Sequence, residues 1–491
     1  VRSLRIPGAP PADAAFAAVS DRPYSLWLDS SLVRGETGRR SFVAWDPWAV
    51  LVARQGSALW IDGDGPRRVG GGGLAALAAS LGATARERNR TGETALPFAG
   101  GAAGFIGYEM AAEVERVPPP RVRDLGIADL ELAFYDLVVG WDHVEGTCWV
   151  ASTGRPERGP ARARRAAVRL EAARAWLAGE GGPPSEGRPA DLATAARRAL
   201  GALPAGAAPS RTVADSRGLV STLARSEYER AVREGVERIR AGDIFQVNLS
   251  QRFSVPAPAD PLEVYRDLRT RSPAPFGAFF RGATCEVASA SPESFLRVDR
   301  NRRVEARPIK GTRPRGSTPA DDAALASELR ASDKDRAENL MIADLLRNDL
   351  SRVCLPGSVR ARRLFDLESF ATVHHLVSEI TGVLRPDVGP VDLLRAAFPC
   401  GSVTGAPKPR AMEIIAELEP TARGPCYGAI GWIGHDGTLD LSVAIRTLVF
   451  ARDRAAFHAG GAVVADSDAS HEYRESLDKA RALAAALAHE V

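Results

Sequence analysis

Two stretches of the chain place carboxylates three residues apart: Asp335 and Glu338 in SDKDRAENLMIADLLRNDL, and Glu472 and Glu475 in SHEYRESLDKARALAAAL. Both stretches read as helices, and i, i+3 spacing puts each pair on one helix face. Two such faces meeting across a cleft would offer oxygen ligands to Mg2+, which takes one or two carboxylates together with waters and substrate oxygens. Taken alone, such pairs more often mark solvated helix faces. Upstream, RPIKGTRPRG gathers Arg307, Lys310, Arg313 and Arg315 around Gly311 and Thr312. Its Pro and Gly residues predict a loop, suited to an anion through backbone N–H groups and charge, with a basic surface turn as the plainer alternative. The run HAGGAVVADSD, holding Gly460 and Gly461, follows the β-like LDLSVAIRTLVF and could aim N–H groups at a carboxylate, although Gly pairs also mark turns.

These residues need elements to position them. Ser226-Glu227-Tyr228-Glu229 has a capping-box pattern, followed by Tyr228, Val232, Val236 and Ile239 at helical spacing and closed by Gly242. Next, Phe245, Val247 and Leu249 alternate with Gln246, Asn248 and Ser250, which predicts a strand with its first set buried and Gln246 on a polar face near the core. Earlier, short β-rich runs (YSLWLDSSL, FVAWDP, AVLVARQ, LELAFYDLVVGW) and the Gly-rich GGAAGFIGYE predict a sheet-bearing region. An arginine-rich helix from Pro160 and a Pro, Gly and Ala-rich stretch to about Ser216 follow. The predicted organisation is therefore an N-terminal region over 1–153, a helix and linker over 154–218, and a catalytic domain over 219–491.

With 491 residues, the chain has room for two domains or one large interleaved body. Its 64 basic and 61 acidic residues nearly balance at +3, so composition provides no electrostatic footprint for nucleic acid or a membrane surface. Cys148, Cys285, Cys354, Cys400 and Cys426 are scattered without metal-ligand or C-x-x-C spacing, and are expected as free thiols. No signal-peptide core and no long uncharged apolar run is evident, so a cytoplasmic protein is expected.

Ten segments resemble, in order, the chorismate-utilising family that includes anthranilate synthase component I, aminodeoxychorismate synthase component I, isochorismate synthase and salicylate synthase. They are DIFQVNLSQRF, SASPESF, RPIKGTRPRG, DRAENLMIADLLRNDLSRVC, VHHLVSEI, GSVTGAPKPRAMEIIAELEP, YGAIGW, DLSVAIRTL, GGAVVADSD and EYRESLDKARA. The N-terminal LPFAGGAAGFIGYE also resembles the amine-forming members. The fold implied is α+β: a large two-sheet antiparallel β-sandwich flanked by helices, with the site in a cleft between the layers.

The resemblance implies a role for each residue. Glu338 and Glu475 match Mg2+ ligands, with Asp335 and Glu472 beside them. Arg446 matches the clamp on the enolpyruvyl carboxylate of chorismate, while Gly311, Thr312, Gly460, Gly461 and Lys479 match positions near the ring carboxylate. Glu293 of SASPESF matches the general acid, and His375 the active-site histidine; His374 has no role. Gln246 stands where water-adding members have a lysine base, which implies ammonia as nucleophile. Lys310 stands where anthranilate synthases have alanine, which implies a lysine attacking C2 and a 4-amino product; Arg307, Arg313 and Arg315 are expected to depress its pKa. Two positions depart from the family pattern: Cys426-Tyr427 displaces a substrate-contacting tyrosine by one, and Ala462 replaces the last of three glycines. No glutaminase-type cysteine is present, which implies a separate glutamine amidotransferase subunit. Related proteins also suggest a pocket for tryptophan near SLWLDSSL. Anthranilate synthase component I and a non-catalytic chorismate-binding subunit are the alternatives.

Overall fold

The computed structural model describes residues 1–33, 35–85, 96–185, 189–201, 213–214, 219–370 and 373–489; of the helix and linker expected over 154–218, residues 186–188, 202–212 and 215–218 lie outside them, and the described part includes a further helix, Pro189–Gly201. Two antiparallel sheets of 13 and 12 strands dominate the described residues. In the first, strands from the chain's beginning such as Leu26–Asp29 lie against Phe276–Arg281, and the sheet continues through Glu286–Ser291, Thr447–Ala451 and Arg454–Val463 to Gln246–Pro256. In the second, Gly101–Ile106 pairs with Ala429–Gly434, which leads through Leu439–Val443 and Ser294–Val298 to Val373–Val383 and Ile309–Pro314. Each sheet thus draws strands from before residue 153 and after residue 219, and the two-sheet α+β fold implied by the resemblance is present.

The sheets face each other across a core in which Phe280, Ala278 and Val287 of the first meet Phe105, Leu132 and Leu296 of the second. On the first sheet's outer face, Trp27, Phe279 and Phe457 pack beneath helices that supply Phe16, Leu268, Leu170 and Leu483. A third cluster seats the helices Arg225–Arg240 and Lys408–Leu418 against Val247, Leu249 and Val463. No helix among the described residues is long and apolar enough to cross a membrane. All five cysteines are buried free thiols, as expected.

Local outcomes differ from the sequence expectations in three places. The helix begins after Ala224 rather than Ser226, and Glu227 supplies the reach-back bond to the Ala224 N–H at 2.8 Å. Glu229 is instead drawn to Arg225 at 2.7 Å. Phe245, expected inside, is 71% exposed because the strand begins one residue later, at Gln246. The arginine-rich helix, found at Gly159–Leu177, is not wholly a solvated face, since Arg169 is buried and pairs with Asp136 at 3.1 Å.

The sheets are also tied by a polar contact. Glu131, fully buried on the Leu130–Tyr135 strand of the second sheet, accepts the Ala283 N–H at 2.5 Å and the Thr284 N–H at 3.3 Å from a turn of the first. It also accepts the Thr284 hydroxyl at 2.5 Å. Glu131→Leu would strand these donors, each costing about 1–3 kcal/mol when buried and unpaired. Its urea midpoint should therefore fall by the equivalent of ~3 kcal/mol; an unchanged midpoint would show that the turn finds water instead.

Candidate active site

Pro308 separates the strand Arg303–Arg307 from Ile309–Pro314, so the basic segment predicted as a loop is an edge strand paired with Val373–Val383. Gly and Pro are tolerated there because the strand lies at a sheet edge and its register shifts between Ile309 and Thr312. Gly311 takes φ +86°, and a Cβ on it would lie 2.9 Å from the Asp335 Cβ. Only glycine allows strand and helix this close. One residue on, the Thr312 hydroxyl meets His375 Nδ1 at 2.8 Å. Burial, the Arg446 charge and His374 hold His375 neutral, its pKa pushed down to about 3. His374 is engaged elsewhere, with Ser369 and Asp322.

Lys310 lies between Ile309 and Gly311 on this edge strand and is half-buried. Burial pulls its pKa down and Lys479 adds to this, against the opposing charges of Glu338, Glu293 and Glu475. The arginines expected to do this are committed elsewhere. Arg307 binds Glu368 and Thr37, Arg313 binds Glu328 and Asp335, and Arg315 binds Asp322. Their charges are largely spent in pairs, so burial becomes the cause.

The two carboxylate helices are Asp333–Ser351 and Ala469–Ala486, N-capped by Ser332 and Asp468. Asp335 is held by Arg313 at 3.1 Å. Glu338 has its pKa raised, chiefly by burial and further by Asp335 and Glu475, with Lys310 and Lys334 opposing. Glu475 pairs with Lys479 at 2.7 Å, and Lys479 also donates to the Gly460 carbonyl at 3.0 Å. Glu472 accepts the Ser467 hydroxyl at 2.7 Å, while its other oxygen, Oε2, is buried without a partner. A Cβ on Gly461 would lie 2.9 Å from that oxygen and 3.3 Å from Glu475 Oε1, so glycine makes room for the carboxylates.

Among the described residues no three acidic, His or Cys side chains converge as a finished ligand cluster. The donor set nonetheless fits Mg2+, which needs few protein carboxylates. Glu338, Glu472 and Glu475 are crowded, half-buried or buried oxygens of like charge, and one of those oxygens lacks any hydrogen-bond donor.

Gly460 and Gly461, expected to aim N–H groups at a carboxylate, with a turn as the plainer alternative, lie inside the strand Arg454–Val463, opposite Ser250 and Leu249. The neighbouring strand's pairing ends at Phe457, so beyond it only Gln246–Pro256 pairs with this segment. Arg446, with φ +49°, has the Ser272 hydroxyl at 3.4 Å as its hydrogen-bond partner and no carboxylate among the described residues; burial lowers its pKa. A half-buried guanidinium with no carboxylate partner among the described residues is suited to an incoming carboxylate. Glu293 is 3% exposed and its pKa is pushed up to about 7 by burial, against the Ser402 hydroxyl, the Lys310 charge and the Ile309 N–H.

Sequence reasoning missed the groups that fix this centre. Arg423 and Glu419 form a buried ion pair with contacts of 2.6 and 2.8 Å. Arg423 also donates to the Asn248 and Val403 carbonyls, at 2.8 and 2.9 Å, and Glu419 accepts the Ser250 N–H at 2.7 Å. Asn248 in turn donates from Nδ2 to the Ser402 carbonyl at 3.1 Å. Glu419 and Asn248 lay inside quoted motifs and Arg423 between two of them, but nothing in the sequence revealed that the chain folds the pair onto the strand bearing Asn248. Tyr427, at φ +63°, packs against Arg423 and His458 rather than against Lys310, and Cys426 donates to the Thr447 carbonyl.

Away from this centre, Ser30 of SLWLDSSL borders a cavity of about 810 Å³ between the sheets, with Phe42, Pro275, Phe276, Trp432 and Asp440 among its walls.

Comparison with known proteins places these observations. A family profile described as "chorismate binding enzyme" matches residues 29–485. An aminodeoxychorismate synthase of Streptomyces pristinaespiralis is 39% identical over 97% of this chain, which spans 64% of that protein's length. An anthranilate synthase component 1 of Geobacillus stearothermophilus is 41% identical over 79% of this chain and 74% of its own. Among solved structures, anthranilate synthase component I from Streptococcus pneumoniae TIGR4 superposes with a TM-score of 0.72 at 29% identity, covering 92% of this chain and 93% of its own.

Glu293 carries a pH signature. Its folded pKa lies above its unfolded value, so the stability linked to its proton is present at low pH and lost as pH rises through about 7. Glu293→Gln replaces a buried charge by a neutral shape. It should therefore melt higher than the unmodified protein at alkaline pH and equally near about pH 4, where the carboxyl is largely protonated in the folded and the unfolded chain alike; equal melting throughout would show that folding does not raise the Glu293 pKa.

Proposed function

The chain belongs to the chorismate-binding enzyme family, and from that premise we propose that it is the ammonia-using component of an aminodeoxychorismate synthase. It would replace the C4 hydroxyl of chorismate by an amino group and keep the enolpyruvyl side chain. The observation that carries this reading is the gathering of Lys310 with the charges of Glu338, Glu293 and Glu475, its pKa drawn down by burial. A lysine at the ordinary pKa is neutral in roughly one molecule in two thousand at pH 7. Lowering that pKa supplies more of the free amine that a nucleophile requires.

In this reading chorismate, a dianion, places its enolpyruvyl carboxylate on Arg446 and its ring carboxylate near Lys479, Thr312 and the glycine pairs. Glu338 and Glu475, with Asp335 and Glu472 behind them, would hold Mg2+, which would neutralise the ring carboxylate and lower the cost of attack on the ring. The Lys310 amine forms a bond to C2, the ring double bond shifts, and the C4–O bond breaks as Glu293 hands its proton to the leaving water. Ammonia then forms the C4–N bond, the double bond returns, and the C2–N bond breaks; the surplus proton ends on Glu293 and Lys310 leaves as the free amine. The sum is chorismate plus ammonia giving 4-amino-4-deoxychorismate plus water. His375, neutral and tied to Thr312, holds the strand that carries Lys310. A separate glutamine amidotransferase supplies the ammonia. The tryptophan pocket suggested by relatives corresponds to the cavity beside Ser30.

The second reading, anthranilate synthase component I, draws support from the 41% identity to a protein of that name. Lys310 weighs against it, because the lysine fills the approach to C2 that ammonia would need.

Two measurements test the proposal. The chain alone should convert chorismate with an ammonium salt at alkaline pH, and should use glutamine only after an amidotransferase is added; glutamine-dependent turnover by the chain alone would exclude the two-component arrangement. Lys310→Ala should lower the 4-amino product by orders of magnitude and open C2 to slow amination, giving an anthranilate-type product detectable by mass spectrometry. Full-rate formation of aminodeoxychorismate by Lys310→Ala would eliminate the covalent route.

A further inference from the structure

A cavity of about 30 Å³ has Arg54, Arg252 and the segment from Asp124 to Asp129 among its walls, and none of Lys310, Glu338, Glu475 or Arg446. Arg54 ends the strand Ala49–Arg54 of the second sheet, and Arg252 lies on Gln246–Pro256 of the first, so the cavity is bordered by both sheets. The two arginines are deeply enclosed, 5% and 2% exposed, and in each the Nε donor is buried without a partner. Native proteins leave few such atoms, and two of them in the walls of one cavity point to a ligand that accepts from both.

Charge decides what kind of ligand this is. The other arginines on the walls are paired: Arg252 with Asp124 through two contacts of 2.7 Å, Arg123 with Asp129 at 2.5 Å, and Arg423 with Glu419 at 2.6 Å. Arg54 has no hydrogen bond or ion pair among the described residues. The acid that acts on it is Asp129, whose oxygens are already taken by Arg123 and by the Gln55 N–H at 2.7 Å. Glu109, also on the wall, spends its oxygens on the Arg423 and Gly424 N–H groups at 2.8 and 2.9 Å, and burial pushes its pKa up to about 7. Arg452 adds another positive charge at the loop: Gly126, at φ +69°, passes so near that a Cβ there would lie 2.8 Å from Arg452 Nη2. His458 adds none, because burial and the charges of Arg252 and Arg423 keep its ring neutral.

We infer that Arg54 and Arg252 bind a small inorganic anion, of the size and charge of chloride, which joins the two sheets beside the loop from Asp124 to Asp129. A guanidinium has donors only, so whatever lies between the two Nε–H groups must be an acceptor. Water could accept from both, yet it would leave the Arg54 charge uncompensated, and an unpaired buried charge is far costlier than an unpaired neutral group. Size removes the larger candidates. About 30 Å³ is close to the share of one water in the liquid, which admits a single small ion and excludes an organic acid or a phosphate ester. The site is separate from the proposed reaction and does not depend on it.

The test exchanges sodium gluconate for sodium chloride at constant ionic strength, so that screening stays fixed while chloride varies. An anion that binds only the folded chain should raise the melting temperature by about 1 °C for each tenfold increase in chloride above its dissociation constant, given a chain of this length. Arg54→Met removes the unpaired charge and keeps the length of the side chain. In gluconate it should melt at or above the unmodified protein, because replacing a stranded buried charge by an apolar group is neutral or stabilising. Chloride should then leave its melting temperature unchanged. Equal melting of the unmodified chain in the two salts would assign the cavity to water and overturn the inference, and a chloride response that survives in Arg54→Met would place the anion elsewhere. A second measurement decides the matter if Arg54→Met does not fold. Crystals of the unmodified chain grown with sodium bromide should show an anomalous scattering peak within reach of Arg54 Nε and Arg252 Nε, and no peak there would overturn the assignment.

Discussion

The Glu419–Arg423 ion pair holds the centre of this molecule together. Arg423 grips the Asn248 carbonyl on the strand and the Val403 carbonyl on the turn, and Glu419 takes the Ser250 N–H. Tyr108 and Tyr427 lie against the guanidinium, with its carbon 4.5 and 4.7 Å from their ring centres. A buried pair of this kind adds little net stability by itself, because desolvation offsets most of the attraction; removing one partner is costly, about 3–5 kcal/mol. What it provides is register. The strand face bearing Gln246 and the turn bearing Ser402 are fixed to a common bracket, and through Ser402 the position of Glu293 is fixed as well.

Around that bracket the charges are sorted rather than accumulated. The chain is nearly neutral, and the arginines nearest Lys310 in sequence each have a carboxylate partner. Among the described residues, Arg446 meets a hydroxyl and no carboxylate, and Lys479 is shared between Glu475 and a carbonyl, so both would be open to the dianion of the proposed reaction. Pairing off the other arginines also lets burial govern Lys310. Had they stood free, they would have acted as competing anchors for the substrate carboxylates.

Much of the site was legible in sequence because it depends on short-range periodicity. The i, i+3 carboxylates fall on helices, and Gln246 falls on the strand face opposite Val247 and Leu249, since both facts follow from 3.6- and 2-residue repeats. The basic segment was misjudged as a loop because its prolines and glycines are tolerated at an edge strand with a register shift, and edge status depends on distant pairing with Val373–Val383. The cause of the Lys310 shift was likewise hidden: Glu328, Glu368 and Asp322 neutralise the neighbouring arginines from helix and strand positions that local sequence does not bring near. The Asn248–Ser402 contact and the grip of Arg423 on the strand were invisible for the same reason, being made across 154 and 175 residues of chain.

The interleaving of the sheets connects these parts. Glu293 lies where Glu286–Ser291 in the first sheet passes to Ser294–Val298 in the second, while Lys310 rides on the second sheet's edge and Gln246 on a strand of the first. A reacting ring between the layers would therefore meet the lysine from one sheet, the carboxamides from the other, and the acid at the crossing. Enclosing the Gln246 carboxamide, Asn248 Oδ1 and Glu293 Oε1 without partners costs on the order of 1–3 kcal/mol for each stranded atom. Such a cost is sustained only where the surrounding structure over-determines the positions, and here the bracket of Glu419 and Arg423, with the Glu131 tie between sheets, does so. Unsatisfied atoms at the meeting point of two rigid layers are thus the expected outcome of a site shaped for ligands that are themselves small, polar and transient.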